Sequence, residues 1–247
     1  MMQASILVSG PGWAIAALWM AFTVTAVARP VPKRVHFVEF YTSDACANCL
    51  PADKTIAAAA GRPDIILLSF HVPYWNYLGW NDKLGLQAAA MRQEAYAHRW
   101  RWSDIFTPQV IVNGRISGTG KSSADLDQLI GAAQPIRQLS IVSDKTSLKV
   151  ILPSMSHASE STVWIAVFDP RRIVDVNRGE NAGHKLDEVD VVREVMPIAH
   201  VSKVPGIVSV ASDVLDHHRG IAVFLENGRG GPVIAAGELV LPLPHAP

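Results

Sequence analysis

The chain's apolar positions come in short runs whose period changes along its length. Residues 35–41, Val-His-Phe-Val-Glu-Phe-Tyr, form a run of strand length interrupted only by His36 and Glu39. Residues 51–60 carry the small, helix-favouring pattern of a helix opened by Pro51 and stopped by Gly61 and Pro63. Residues 64–71 are a second strand, too continuously apolar for a half-exposed sheet and so expected to be parallel and covered on both faces. An aromatic loop follows at 73–80, and residues 84–101, rich in Ala, Gln and Met, read as a helix. Residues 107–112 are a third strand turned by Asn113-Gly114, a strong hairpin signal. Ser122 caps a last helix at 123–133.

Beyond Pro135 the texture changes to short β-rich runs at 138–142, 147–152, 162–168, 189–196, 221–225 and 233–241. Turn signals such as Asn227-Gly228 and Gly230-Gly231-Pro232 separate them. The order strand–helix–strand, helix, hairpin, helix is that of an α/β thioredoxin-like domain, a central mixed sheet flanked by helices. The expected architecture is that domain at 29–134 followed by an all-β, sandwich-like C-terminal domain at 135–247.

The N-terminus departs from globular patterning. From Ala4 to Ala28 there is no charged residue, and the stretch ends Thr25-Ala26-Val27-Ala28 before Arg29-Pro30, a small-residue cleavage pattern. Residues 1–28 are therefore expected to be a signal peptide, or an N-terminal anchor if uncleaved, since the apolar length approaches the ~20 residues that span a bilayer. This implies a periplasmic or secreted protein with no other membrane association. Lys+Arg and Asp+Glu balance at 22 each, so there is no basic footprint for nucleic acid. Hydrophobic residues make up 49% of the chain, enough for a substantial core.

The chain's 2 cysteines stand at Cys46-Ala47-Asn48-Cys49, between the first strand and the first helix. A helix N-terminus stabilises a thiolate, and the thiolate is the nucleophile of thiol–disulfide exchange. Two other readings stand beside this redox one. A structural disulfide closing so small a ring removes little chain entropy from the unfolded state. A zinc half-site lacks a second cysteine pair, and the histidines show no metal-ligand spacing beyond the adjacent pair His217-His218, a weak site because adjacent strand residues face opposite ways.

The segment Phe40-Tyr41-Thr42-Ser43-x-x-Cys46-x-x-Cys49-x-Pro51-Ala52-Asp53 resembles a bacterial family of exported thioredoxin-like proteins known only as a domain of unknown function (family twelve-twenty-three). The resemblance extends to Phe70-His71-Val72-x-Tyr74-Trp75-x-Tyr77-Leu78-Gly79-Trp80, to Thr107-Pro108-Gln109, to Arg178-Gly179-Glu180-Asn181-Ala182-Gly183 and to Val191-Val192-Arg193. The chain departs from the pattern at Leu50, where the family has Pro, and at Pro73 and Asn76, where it tends to carry Asp.

The resemblance implies that Cys46 attacks and Cys49 resolves. It also implies that Thr107-Pro108 is a cis-proline lying against the dithiol, with Thr107 facing a bound partner. Glu39 either takes a proton from the second cysteine, as a buried acid does in thioredoxins, or points to an exposed edge or pairs with a Lys or Arg. His71, Tyr74 and Trp75 either line a substrate groove or pack the insertion onto the sheet. The expected function is thiol–disulfide oxidoreduction on a protein or small-molecule thiol or disulfide, with no separate cofactor and no metal. The alternative is a non-enzymatic envelope binding protein with a structural disulfide.

Overall fold

The first strand, β1 (Arg34–Thr42), pairs with three other strands, where a strand within an open sheet pairs with two. The computed structural model describes residues 34–143, 147–152, 160–201, 206–211 and 220–241. The expected export segment at 1–28 and the His217-His218 pair lie outside the described residues.

Along β1 the pattern alternates. Phe37 and Tyr41 join one buried cluster, and Val38 and Phe40 join another on the opposite face. The helix α1 (Leu50–Ala59) has a proline in its first turn and ends at Ala60. Strand β2 (Ile65–His71) is buried at every position and runs parallel to β1, with Val38 opposite Leu67. A short 3-10 segment, Pro73–Leu78, leads toward α2 (Gln87–Trp100), which ends at Arg101 in a left-handed conformation at φ 58°. Strands β3 (Gln109–Val112) and β4 (Ile116–Gly118) form the hairpin. Asn113 and Gly114, at φ 53° and 59°, make its turn, closed by a 3.0 Å bond from the Arg115 N–H to the Val112 carbonyl. The Ser122 hydroxyl accepts from the Asp125 N–H at 3.1 Å and caps α3 (Ser123–Ala132).

The second half does not form a separate sandwich. It consists of β5 (Ile136–Gln138), β6 (Ser140–Ser143), β7 (Ser147–Leu152), β8 (Ser161–Asp175), β9 (Lys185–Val201), β10 (Gly206–Ala211), β11 (Gly220–Asn227) and β12 (Val233–Val240). Strand β5 pairs antiparallel with the start of β1 and parallel with β12. At the other side β9 pairs with β2 through Ser69 and Val191. The ring β1–β2–β9–β8–β11–β12–β5 is thus a closed, mixed barrel of 7 strands, with β3 and β4 continuing from β1. A 3-stranded sheet, β10–β7–β6, lies against it.

This overturns the expected fold class, a helix-flanked thioredoxin-like α/β domain followed by an independent all-β sandwich. The local strand and helix pattern of residues 34–133 is close to expectation, but the edges that an open sheet would leave on β1 and β2 are taken up by strands from the second half. Closure removes unpaired edge groups, and local patterning carries no signal of it.

The core divides into three apolar clusters. The inner one brings Phe37, Tyr41, Phe70, Phe168 and Phe224 together with Ala89 and Tyr96 of α2. A second lies beneath α1 and α3, where Ile56, Leu126 and Ile130 cover Val38, Phe40 and Val110. The third lies where Leu148 and Val150 meet Val163, Ile165 and Val223 of the barrel.

Candidate functional site

The two cysteines are joined as a disulfide. Cys46 precedes a single 3-10 turn, Ala47–Cys49, which runs directly into α1, so both sulfurs belong to one helix start. The turn is closed by bonds from the Cys46 N–H to the Ser43 carbonyl at 2.9 Å and from the Cys49 N–H to the Cys46 carbonyl at 3.0 Å. Cys49 is 0% exposed and Cys46 5%, with Ala47 and Asn48 exposed beside it, so Cys46 is the sulfur a partner could reach.

Thr107 faces this disulfide from the loop before β3, where the Thr107–Pro108 peptide bond is cis. Its hydroxyl donates to Cys46 Sγ at 3.2 Å and accepts from the Trp75 indole N–H at 2.7 Å. Trp75, Thr107, Pro108 and the two cysteines therefore come together from the 3-10 segment, the pre-β3 loop and the α1 start. Tyr74 lies beside Trp75, its ring centroid 5.6 Å away, and its hydroxyl donates to Gln93 Oε1 at 3.1 Å. It is held by α2 and makes no recorded bond to the dithiol.

Glu39 belongs to a different group. It is fully buried and accepts from Arg92 Nε at 2.6 Å, from Arg92 Nη2 at 3.4 Å, and from the hydroxyls of Tyr41 and Tyr96. Arg92 also reaches Glu226 at 3.4 Å and lies over the ring of Phe224, 4.6 Å from its centroid. Burial disfavours the charged forms of Tyr41 and Tyr96, and both phenols are held well above their usual range. Of the roles open to Glu39, the structure shows the pairing with an arginine.

His71 lies in a third group, directly behind the cysteine loop. It ends β2, fully buried, with Nδ1 2.9 Å from Asp82 Oδ2 and 3.7 Å from Asp44 Oδ1, and Nε2 3.5 Å from Glu188 Oε2. Asp82 also accepts from the backbone N–H groups of Asp44 and Leu84, at 2.9 and 2.8 Å. Burial, with the charges of Asp82 and Glu188, pushes the Asp44 carboxyl up to about 7. Burial opposes the charged form of His71, but Asp82 and Glu188 outweigh it and hold the imidazole well above its usual range. Asp53, in the first turn of α1, accepts from the Thr42 hydroxyl at 2.7 Å and is likewise raised, chiefly by burial.

The 178–183 loop docks on this group. Asn181 is 1% exposed, and its amide donates to the Asp44 carbonyl at 2.8 Å. Asp44, His71 and Glu188 can each present one donor atom such that all lie within 4.8 Å of one another. The sequence pattern did not single out Asp82, Glu188 or Arg92. No short spacing links them, and only the sheet pairings bring them together.

A mostly apolar cavity of about 430 Å³ lies elsewhere, among α2, β8, β9 and β11. Met91, Arg92, Trp164, Pro197, His200 and Glu226 line it, and none of the residues around Cys46 contributes.

No curated protein matches the chain. Among solved structures, a crystal structure of a protein from Agrobacterium tumefaciens, determined by a structural genomics consortium, is similar with a TM-score of 0.73. It is 27% identical, over 89% of this chain and 100% of that chain. HBP35 of Porphyromonas gingivalis is similar in fold alone, with a TM-score of 0.57 and 13% identity over 85% of this chain and 76% of that chain. The family model described as "Protein of unknown function (DUF1223)" matches residues 37–226, which is most of the chain, and the protein belongs to that family.

Proposed function

We propose that the protein is a thiol–disulfide oxidoreductase acting through Cys46 and Cys49 on a protein or small-molecule thiol, in an oxidising compartment outside the cytoplasm. The observation that carries this reading is the placement of the disulfide at the start of α1 with the Thr107 hydroxyl donating to Cys46 Sγ at 3.2 Å. The helix start favours negative charge on the Cys49 sulfur released when the bond opens, and the hydroxyl favours it on the Cys46 sulfur released from the mixed disulfide. A structural staple needs neither.

In the oxidising direction a partner thiolate attacks Cys46 Sγ. The Cys46–Cys49 bond breaks, and Cys49 leaves as a thiolate carrying the electron pair. A second partner thiolate then attacks the partner sulfur of the mixed disulfide and releases Cys46 as a thiolate. The partner dithiol is oxidised to a disulfide, the protein disulfide is reduced, and the partner's two protons pass to solvent or to the freed thiolates. The reverse sequence reduces a partner disulfide. No separate cofactor takes part.

The test is the reduction potential of the pair, measured by equilibrating the protein in graded thiol buffers. A value between about −120 and −270 mV, with fast alkylation of Cys46 after mild reduction, is the expected result. A value below about −300 mV with slow exchange marks a structural disulfide and removes the redox reading.

The cavity beside Arg92 favours a second reading, a binding protein whose disulfide is inert. Its apolar walls suit a small, largely apolar ligand. That reading gains if the disulfide proves inert while such a ligand raises the melting temperature.

A further inference from the structure

We propose that the cavity among α2, β8, β9 and β11 binds a small amphipathic monoanion of the alkyl carboxylate class, with Arg229 receiving the head group. This deepens the binding reading of that cavity and rests on it. It is independent of what the disulfide does.

The first support is the space itself. Ala88, Met91 and Ala95 fall three or four residues apart on α2 and so share one face. That face meets Trp164, Val195 and Pro197 of the strands across about 430 Å³ of open space. Folded interiors are close-packed, and the two alanines leave this space unfilled. It holds roughly a dozen non-hydrogen atoms, taking about 30 Å³ for each water-sized group. Met91 is 48% exposed, so apolar surface stands open to solvent there.

Arg92, on the floor, does not receive the anion. It is held by Glu39 and Glu226, and its guanidinium lies 5.5 Å from the centroid of the Trp164 ring. Arginine and indole together offer a stacked surface to an apolar body.

The second, independent support is Arg229. It is exposed and makes no ion pair or side-chain hydrogen bond among the described residues. It lines this cavity and also the two hollows beside it, and so stands where the three meet. The backbone builds that position. The turn after β11 is closed by a bond from the Gly231 N–H to the Gly228 carbonyl at 2.9 Å. Gly230 follows Arg229 at φ 62°, and a Cβ there would run into the Ala95 carbonyl, so the turn is pressed onto α2. A planar guanidinium receives a carboxylate through two parallel hydrogen bonds. His200, another lining residue, has Nδ1 3.2 Å from the Thr162 hydroxyl oxygen, which leaves Nε2 for the head group. Glu94 and Glu160 line the flanking hollows, so a second negative charge on the ligand would meet repulsion.

The test is calorimetric titration of the full chain, with its disulfide oxidised, against decanoate, decan-1-ol and decylammonium below their aggregation concentrations. The three probes share an apolar body and differ in the head group. The expected result is one decanoate per chain, bound roughly tenfold tighter than either comparator, with a higher melting temperature. Arg229→Gln should weaken decanoate by about the same factor and leave decan-1-ol unchanged. Ala88→Trp, at an exposed position of α2, should fill the cavity and remove binding of every probe, and its melt without ligand reports that it folds. Decan-1-ol binding as tightly as decanoate, or unchanged decanoate affinity in Arg229→Gln, would overturn the carboxylate head group and leave an apolar site. No binding of any probe would overturn the binding reading as well. Binding that survives in a folded Ala88→Trp would place the ligand elsewhere on the surface and overturn the site. None of these outcomes bears on the potential of the disulfide, so the redox proposal stands or falls separately.

Discussion

Thr107 shows how much one side chain can set at the dithiol. Its hydroxyl bridges the Trp75 indole and Cys46 Sγ, so Thr107→Val removes a donor to the sulfur while keeping the branched shape. A hydrogen bond of this kind is worth about 1 kcal/mol. The fraction of Cys46 present as thiolate near pH 7 should fall roughly fivefold, and alkylation of the reduced protein should slow by a similar factor. An unchanged rate would mean that the helix start alone holds the thiolate. Glu226 carries a pH-dependent load. Burial raises its carboxyl above the usual range although Arg92 pulls it down. A raised folded-state value means that the folded chain binds the proton more tightly than the unfolded chain. The stability it contributes is full below the ordinary carboxyl range and is lost as pH rises through the raised value. Glu226→Gln removes this loss. Urea unfolding should therefore show the variant gaining on the parent between pH 4 and pH 8, and a constant gap would show that Arg92 compensates fully.

Among the elements, the β3–β4 hairpin has the strictest local requirement. Its turn places Asn113 and Gly114 both at positive φ, and Asn113 ties the turn to the barrel. The Asn113 N–H donates to the Phe37 carbonyl at 2.8 Å, and its side-chain oxygen accepts from the Phe37 N–H at 2.7 Å. A Cβ at Gly114 would run into the Gly231 carbonyl, so space and backbone conformation both demand glycine there. Gly114→Ala should cost about 1–3 kcal/mol in chemical denaturation. The turn was readable because Asn-Gly between two apolar runs acts through its own backbone, and the Ser122 cap of α3 was readable for the same reason. Strand lengths were not. The runs at 162–168 and 189–196 extend to Ser161–Asp175 and Lys185–Val201, where mixed polar positions pair across a long ladder that includes Arg171 opposite Val189. Cross-strand neighbours sustain those ends, and an isolated run shows none of them.

For the molecule as a whole, closure of the barrel makes the two halves of the chain interdependent. Residues 29–134 by themselves would leave β2 without β9 and β1 without β5. They would also strip Phe168, Phe224 and Val192 from the cluster that surrounds Phe37 and Phe70. A fragment ending at residue 134 should therefore bind a hydrophobic dye and unfold without a cooperative transition, whereas the full chain should melt as one unit. A cooperatively folded fragment would show that its sheet does not need closing.

Features that depend on a few neighbouring residues were set by the sequence alone: the strand and helix periods of residues 34–133, the Asn113-Gly114 turn and the Cys46–Cys49 spacing at a helix start. The family motifs were equally visible, because they too are local strings. Tertiary structure alone decided where the edges of β1 and β2 find partners, and with it the fold class. It alone turned Glu39 toward Arg92 and gathered Asp44, His71, Asp82 and Glu188 behind the cysteines. The reason is common to all of these. A buried charge or an unpaired strand edge is intolerable by itself, and the group that relieves it can come from any distance along the chain.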